Sequence, residues 1–143
     1  MVNAEQQVEI NRPVADVFAF VGTNYFANCP RWSPDCLELQ QTSPGPMAVG
    51  AAAHEVRNIN GKPVELETVV TEYEPTRTMS FRSTAPGRQT DGTYSFEPTS
   101  TGTRVRTTLK VEGGFPRLAT PLIGRSIQKA LNQDMDRLKG LLG

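Results

Sequence analysis

The 143-residue sequence carries one histidine, one tryptophan and two cysteines, and its 15 basic side chains are matched by 15 acidic ones. Zero formal charge removes the long-range attraction that nucleic acid or an anionic membrane surface needs, so neither is an expected partner. No run approaches the ~20 apolar residues of a membrane span, and the first residues lack the basic-then-apolar order of a secretory leader. A cytoplasmic protein is therefore expected. Cys29 and Cys36 form no CxxC pair, and His54 lies far downstream, so nothing suggests a metal ion or dithiol chemistry. In a reducing compartment both should be free thiols. Gly113 and Gly114 lack the strand, glycine-rich loop and lysine of a phosphate cradle, and no cofactor is expected. A chain this long buries roughly 70% of its unfolded surface, enough for one domain over residues 1–143 without staples.

What is present is ordered as strand, helices, strands, helix. Residues 2–10 alternate like a half-buried strand. Pro13 suits a first helical position, and Val14, Val17, Phe18 and Val21 follow at helical spacing until Gly22. Asn24 is placed to cap a second short helix that Pro30 should end. Six extended runs follow at 35–42, 50–59, 63–74, 77–85, 90–97 and 103–111, separated by turn residues of which Asn60-Gly61 is the strongest hairpin signal. Beyond the glycine pair, Thr120 and Pro121 start a long helix with Leu122, Ile123, Ile127, Ala130, Leu131, Met135, Leu138 and Leu142 on one stripe. An α+β protein follows, with one antiparallel sheet and a helix that cannot fill its curved face.

The residues also carry a resemblance across nearly the whole chain. The segment from Val8 to Val21, Trp32 before Ser33-Pro34, Val49-Gly50, Gly61, residues 70–75, 94–98 and 102–105, and Leu138-Lys139 resemble, in order and spacing, the polyketide cyclase/dehydrase-like branch of the START-related, Bet v 1-like (SRPBCC) superfamily. The resemblance implies a helix-grip fold: a seven-stranded curved antiparallel sheet around a long C-terminal helix, two short helices after the first strand, and a hydrophobic cavity between sheet and helix. It implies a lipid- or polyketide-like ligand, or cyclase/dehydratase activity. Ala51, Ala52 and Ala53 depart from the bulkier residues common there, which would either widen the pocket or face solvent.

Strand parity and helical spacing nominate a cavity lining of His54, Leu66, Thr68, Met79, Phe81, Tyr94, Phe96, Leu122, Ile127 and Leu131, and the resemblance implies that Trp32 lies at the mouth. His54 is the one side chain whose ordinary pKa suits proton transfer near neutrality, and it reaches the cavity if the parity it shares with Val56 faces inward. Tyr94 is the second acid–base candidate, a phenol that needs a partner if buried. Trp32 reads as a packing plug or a lid. Arg57, Arg82, Arg104 and Arg106 read as an outer face balanced by Glu65, Glu67 and Glu72, and Asp134 with Asp136 do not share a helix face. With so few catalytic groups the leading expectation is a binder of a hydrophobic small molecule, monomeric or homodimeric, with a cavity of about 300 Å³ or more. The alternatives are a polyketide cyclase/dehydratase-type enzyme and a protein-interaction module whose cavity is empty.

Overall fold

The computed structural model describes every residue from Met1 to Gly143. Strand β1 (Val2–Ile10) leads into α1 (Val14–Phe18), a π-helical turn (Ala19–Thr23) and α2 (Tyr25–Trp32). Six strands follow: β2 (Cys36–Gln41), β3 (Ala52–Ile59), β4 (Lys62–Glu74), β5 (Thr78–Ala85), β6 (Arg88–Pro98) and β7 (Thr103–Gly113). A 3-10 turn at Arg117–Ala119 enters α3 (Thr120–Leu142). All seven strands form one antiparallel sheet in the order β1-β7-β6-β5-β4-β3-β2, a meander whose last strand pairs with the first. Its curved inner face grips α3.

Turn chemistry fixes the registers that matter most here. Asn60 and Gly61 both adopt positive φ, 54° and 80°, so a two-residue turn pairs Ile59 with Lys62 and, further back, Glu55 with Leu66. Pro86 and Gly87 (φ 73°) make an equally tight turn that pairs Ala85 with Arg88. Consequently β6 starts two residues before the expected position, and Arg88 joins the inward parity of Thr90, Gly92, Tyr94 and Phe96.

The free edge of β1 is covered by α3. Gln128 of α3 accepts from the Glu5 backbone N–H at 3.2 Å and donates to the Glu5 carbonyl at 2.8 Å, behaving as a strand residue would. Asn132 accepts from the Gln6 amide at 2.8 Å, and Arg12 donates to the Leu142 carbonyl at 2.6 Å. These bonds set the angle of the helix across the sheet.

One end of the grip is packed solid. Val17, Val21, Met79, Phe96, Val105, Met135, Leu138 and Leu142 are buried there, with the Phe18 ring 5.0 Å from that of Phe96. Thr103 and Thr107 are buried among them and hydrogen-bonded, to the Arg12 carbonyl and the Met135 sulfur.

Four local expectations are corrected. Helix α2 does not end at Pro30 but continues to Trp32, because proline removes only its own N–H while burial of Trp32 holds the last turn. Neither Asn24 nor Thr120 caps its helix: the Asn24 amide donates to the Ala19 carbonyl instead, and Ala119 occupies the position before α3. Leu122 is 68% exposed, since it lies about 100° around α3 from Ile123 and off the inward stripe. Ala51 and Ala53 are buried in the core, so the alanine run neither widens the cavity nor as a whole faces solvent.

Candidate functional site

Away from the solid end, α3 stands off the sheet and leaves a cavity of about 200 Å³. Helix α2 contributes Tyr25 and Cys29, four residues apart on one face, and Ser33 follows directly after its last residue. Helix α3 contributes Ile123, Ile127, Ala130, Leu131 and Asp134, and the sheet contributes inward residues of β3 to β7. The exposed lining residues are Asn58, Asn60 and Gly114, at the end of the sheet that carries the β3–β4 turn and the end of β7, and Ser126 of α3; together they mark the mouth.

The inner boundary is a layer of rings. Tyr25 stacks on Phe81 at 5.5 Å and 24°, and Tyr94 and Trp32 stand 6.0 and 6.1 Å from Tyr25. Phe81 can lie there because its neighbour across the sheet is glycine: a Cβ on Gly92 would come within 2.4 Å of the Phe81 ring. This layer fills the middle of the grip, which is why the cavity is smaller than the expected 300 Å³.

One wall is polar and continuously bonded. Ser83 and Thr68 hydroxyls meet at 2.7 Å, Thr68 donates to Glu55 at 3.2 Å, and Arg57 Nε donates to the other Glu55 oxygen at 2.5 Å. Arg57 Nη1 donates to the Ser33 hydroxyl at 3.5 Å, which donates to Asp134 at 2.8 Å. The string runs from β5 through β4 and β3 to α2 and α3, with Arg57 donating toward both carboxylates. No buried side-chain nitrogen or oxygen in the molecule lacks a partner.

Burial governs the protonation of these groups. It opposes the Arg57 charge, but Glu55 overrides it and holds the guanidinium charged. Burial pushes the Asp134 carboxyl up to about 6, against the opposing pull of the Ser33 hydrogen bond and Arg57. Tyr25 and Tyr94 are pushed up by burial and by the neighbouring Cys29. The Cys29 thiol is pushed up by its hydrogen bond with Cys36 and by burial; both cysteines are free and buried. Neither phenol nor thiol ionises readily near neutrality.

Of the nominated residues, Leu66, Phe81, Tyr94, Ile127 and Leu131 line the cavity together. Trp32 is fully buried behind it as a plug, its indole N–H donating to the Tyr94 hydroxyl at 3.4 Å. Thr68 lies beneath the lining and reaches it through Glu55, while Met79 and Phe96 belong to the solid core. His54 is on the opposite face of β3, 3.0 Å from Glu67 and 3.5 Å from Glu65, and the expectation that it points inward is corrected. Arg57 is corrected in the other direction: it faces inward, while Arg82, Arg104 and Arg106 pair with acids on the outer face.

Glu55, Arg57 and Asp134 were missed as site residues, yet signals existed. A two-residue turn at Asn60-Gly61 places position 55 opposite Leu66, so an inward Leu66 requires an inward Glu55 and an outward His54. Asp134 lies four residues after Ala130, on the inward stripe of α3.

The whole chain, residues 1–143, matches the family model described as polyketide cyclase / dehydrase and lipid transport, and the protein belongs to that family. Among solved structures it is similar to a START superfamily protein from Mycobacterium smegmatis, with a TM-score of 0.79 at 15% identity over 98% of this chain and 96% of that one. It is also similar to the di-domain ARO/CYC BexL from the BE-7585A biosynthetic pathway, with a TM-score of 0.74 at 23% identity over 98% of this chain and 46% of that one. A third similarity is to Ara h 8.0201, with a TM-score of 0.74 at 9% identity over 98% and 96% of the two chains. At these identities the likeness fixes the helix-grip architecture. No curated protein matches the sequence. No helix is long and apolar enough to cross a membrane.

Proposed function

We propose that this protein binds a small hydrophobic molecule in the cavity between the sheet and α3. One observation carries the reading: the cavity combines an apolar wall of Leu66, Phe81, Leu109, Ile127 and Leu131 with a polar wall whose members are already tied to one another. Such a wall orients a guest by the few hydrogen bonds it still offers, the Tyr94 O–H among them, while the apolar side supplies the driving force. A 150 Å³ apolar cavity is known to hold benzene. The space of about 200 Å³ therefore fits a single ring or a short chain, and a larger guest must push α3 away from β6 and β7.

Native mass spectrometry of protein purified without added ligand tests the reading. A small-molecule adduct lost on denaturation supports it. An empty protein that also binds no member of a panel of aryl and alkyl compounds overturns it.

A second reading, a cyclase-type enzyme, is favoured by one observation. Asp134 is a carboxyl inside the cavity that titrates near pH 6, the range of a general acid or base. The family description and the name of the ARO/CYC BexL protein are in keeping with it. The other acid–base candidates are poorly placed for such work, since His54 is outside and burial keeps Tyr94 protonated. Abolished turnover of a poly-β-ketone substrate in Asp134→Asn would support this reading, and unchanged turnover would overturn it.

A further inference from the structure

Five charged residues line the cavity: Asp35, Glu55, Arg57, Arg88 and Asp134. Glu55 and Arg57 neutralise each other, and Asp134 is held by Ser33 at the α2 side. Asp35 forms no ion pair, and its charge acts on Asp134; Arg88 is the one cation of the five without a partner. It has no carboxylate within ion-pair distance and no side-chain hydrogen bond, whereas Arg57, the other cation lining the cavity, is paired with Glu55. The one charge that acts on it is Arg57, of like sign, and this with partial burial makes its charge harder to keep.

The fold nevertheless builds a seat for it. The Pro86-Gly87 turn places Arg88 at the first inward position of β6, with Thr90 next along the same face. Gly113 lies across from Arg88 at φ 75°, so close that a Cβ would meet the Gly87 carbonyl oxygen at 2.0 Å. At Gly114 (φ 82°) a Cβ would stand 3.1 Å from Arg88 Cδ. The glycine pair that ends β7 thus makes room for the turn and for the arginine's stem. An unpaired guanidinium with its stem packed puts an uncompensated positive charge at the edge of an apolar cavity. An anion placed there relieves the repulsion and gains a charge-assisted hydrogen bond.

We propose that Arg88 is the anchor for a carboxylate, so that the guest is a small amphipathic organic acid with its carboxylate at the mouth and its apolar body toward Tyr25, Phe81 and Leu131. This rests on the binding reading above and names the class of ligand. The cavity volume sets its size at about one ring or a short chain.

The test compares 4-phenylbutanoate with 4-phenylbutanamide, which share a skeleton and differ in charge, by calorimetric titration of the intact protein. In the wild type the acid should bind about tenfold more tightly than the amide. Arg88→Met keeps the stem and should erase that preference while leaving amide affinity within about twofold, and Arg88→Lys should retain part of it. Equal binding of acid and amide, or a preference that survives Arg88→Met, overturns the carboxylate anchor and leaves cavity binding standing. Failure of both compounds at millimolar concentration overturns the binding reading and the anchor with it. If Arg88→Met does not fold, the wild-type ratio at low and high salt decides. It should shrink as salt rises, and a ratio indifferent to salt overturns the anchor.

Discussion

Glu55 and Arg57, two residues apart on β3, point to the same side of the sheet and bond at 2.5 Å inside the cavity. Two opposite charges thus face an apolar space, and each depends on the other. Removing one partner leaves a buried charge without its counterion, which costs about 3–5 kcal/mol. Glu55→Gln and Arg57→Met should each lower the urea midpoint strongly, whereas Glu55→Leu combined with Arg57→Met should recover most of the loss. A double variant as unstable as the sum of the singles would contradict the pairing.

Asp134 predicts a pH dependence of stability. Its carboxyl titrates near 6 in the folded protein against an ordinary 3.8, so the folded state holds more protons between these values. Stability from this group is therefore present below about pH 4 and is lost as pH rises toward 6, by about 2–3 kcal/mol. Asp134→Asn still accepts the Ser33 hydrogen bond without a buried charge. It should match the wild type near pH 4 and exceed it at pH 7–8 in urea denaturation. A variant less stable at pH 8 would show that the ionised carboxylate is a net benefit.

Phe81 and Gly92 should behave as one unit. Gly92→Ala drives a methyl into the Phe81 ring and should cost about 1–3 kcal/mol. It should also weaken ligand binding, since Phe81 lines the cavity and a displaced ring would take up part of its space. Adding Phe81→Leu should restore part of the stability, so that the two changes cost less together than separately. Additive losses in a thermodynamic cycle would show that the ring does not depend on the glycine.

His54 should be dispensable for binding. Its imidazole lies on the outer face, where the hydrogen bond to Glu67 raises its pKa above 6.5. The protonated form is therefore favoured by folding, a small contribution present below about pH 6.5 and lost as pH rises through the raised value. His54→Gln should leave ligand affinity unchanged and lose a little stability at pH 5.5 but none at pH 9. Impaired binding at either pH would return His54 to the site.

Tyr94 can be followed through the one tryptophan. Tyr94→Phe removes the acceptor of the Trp32 indole N–H, should cost about 0.5–1.5 kcal/mol, and should shift the emission of Trp32 without unfolding the protein. An unchanged spectrum would mean that the two groups are not bonded in solution.

Residue order by itself determined the elements and the sheet. Alternation marked the strands, Asn60-Gly61 fixed one hairpin, and the stripe from Ile123 to Leu142 marked the gripping helix, because these signals are local. Inward parity was also legible for Leu66, Phe81 and Tyr94, which the strand periods specify directly. What tertiary structure decided was how far inward each side chain reaches and what it meets there. Parity cannot tell the solid core at Met79 and Phe96 from the cavity at Leu66, since depth depends on where α3 crosses the sheet, and the bonds of Gln128 and Asn132 to β1 set that crossing. Nor do residue types reveal that Arg57 is paired and Arg88 is not. Arg57 meets Glu55 on its own strand, while the β5–β6 and β6–β7 registers seat Arg88 where no carboxylate reaches it. A chain with no net charge thus holds an unpaired cation beside an apolar cavity.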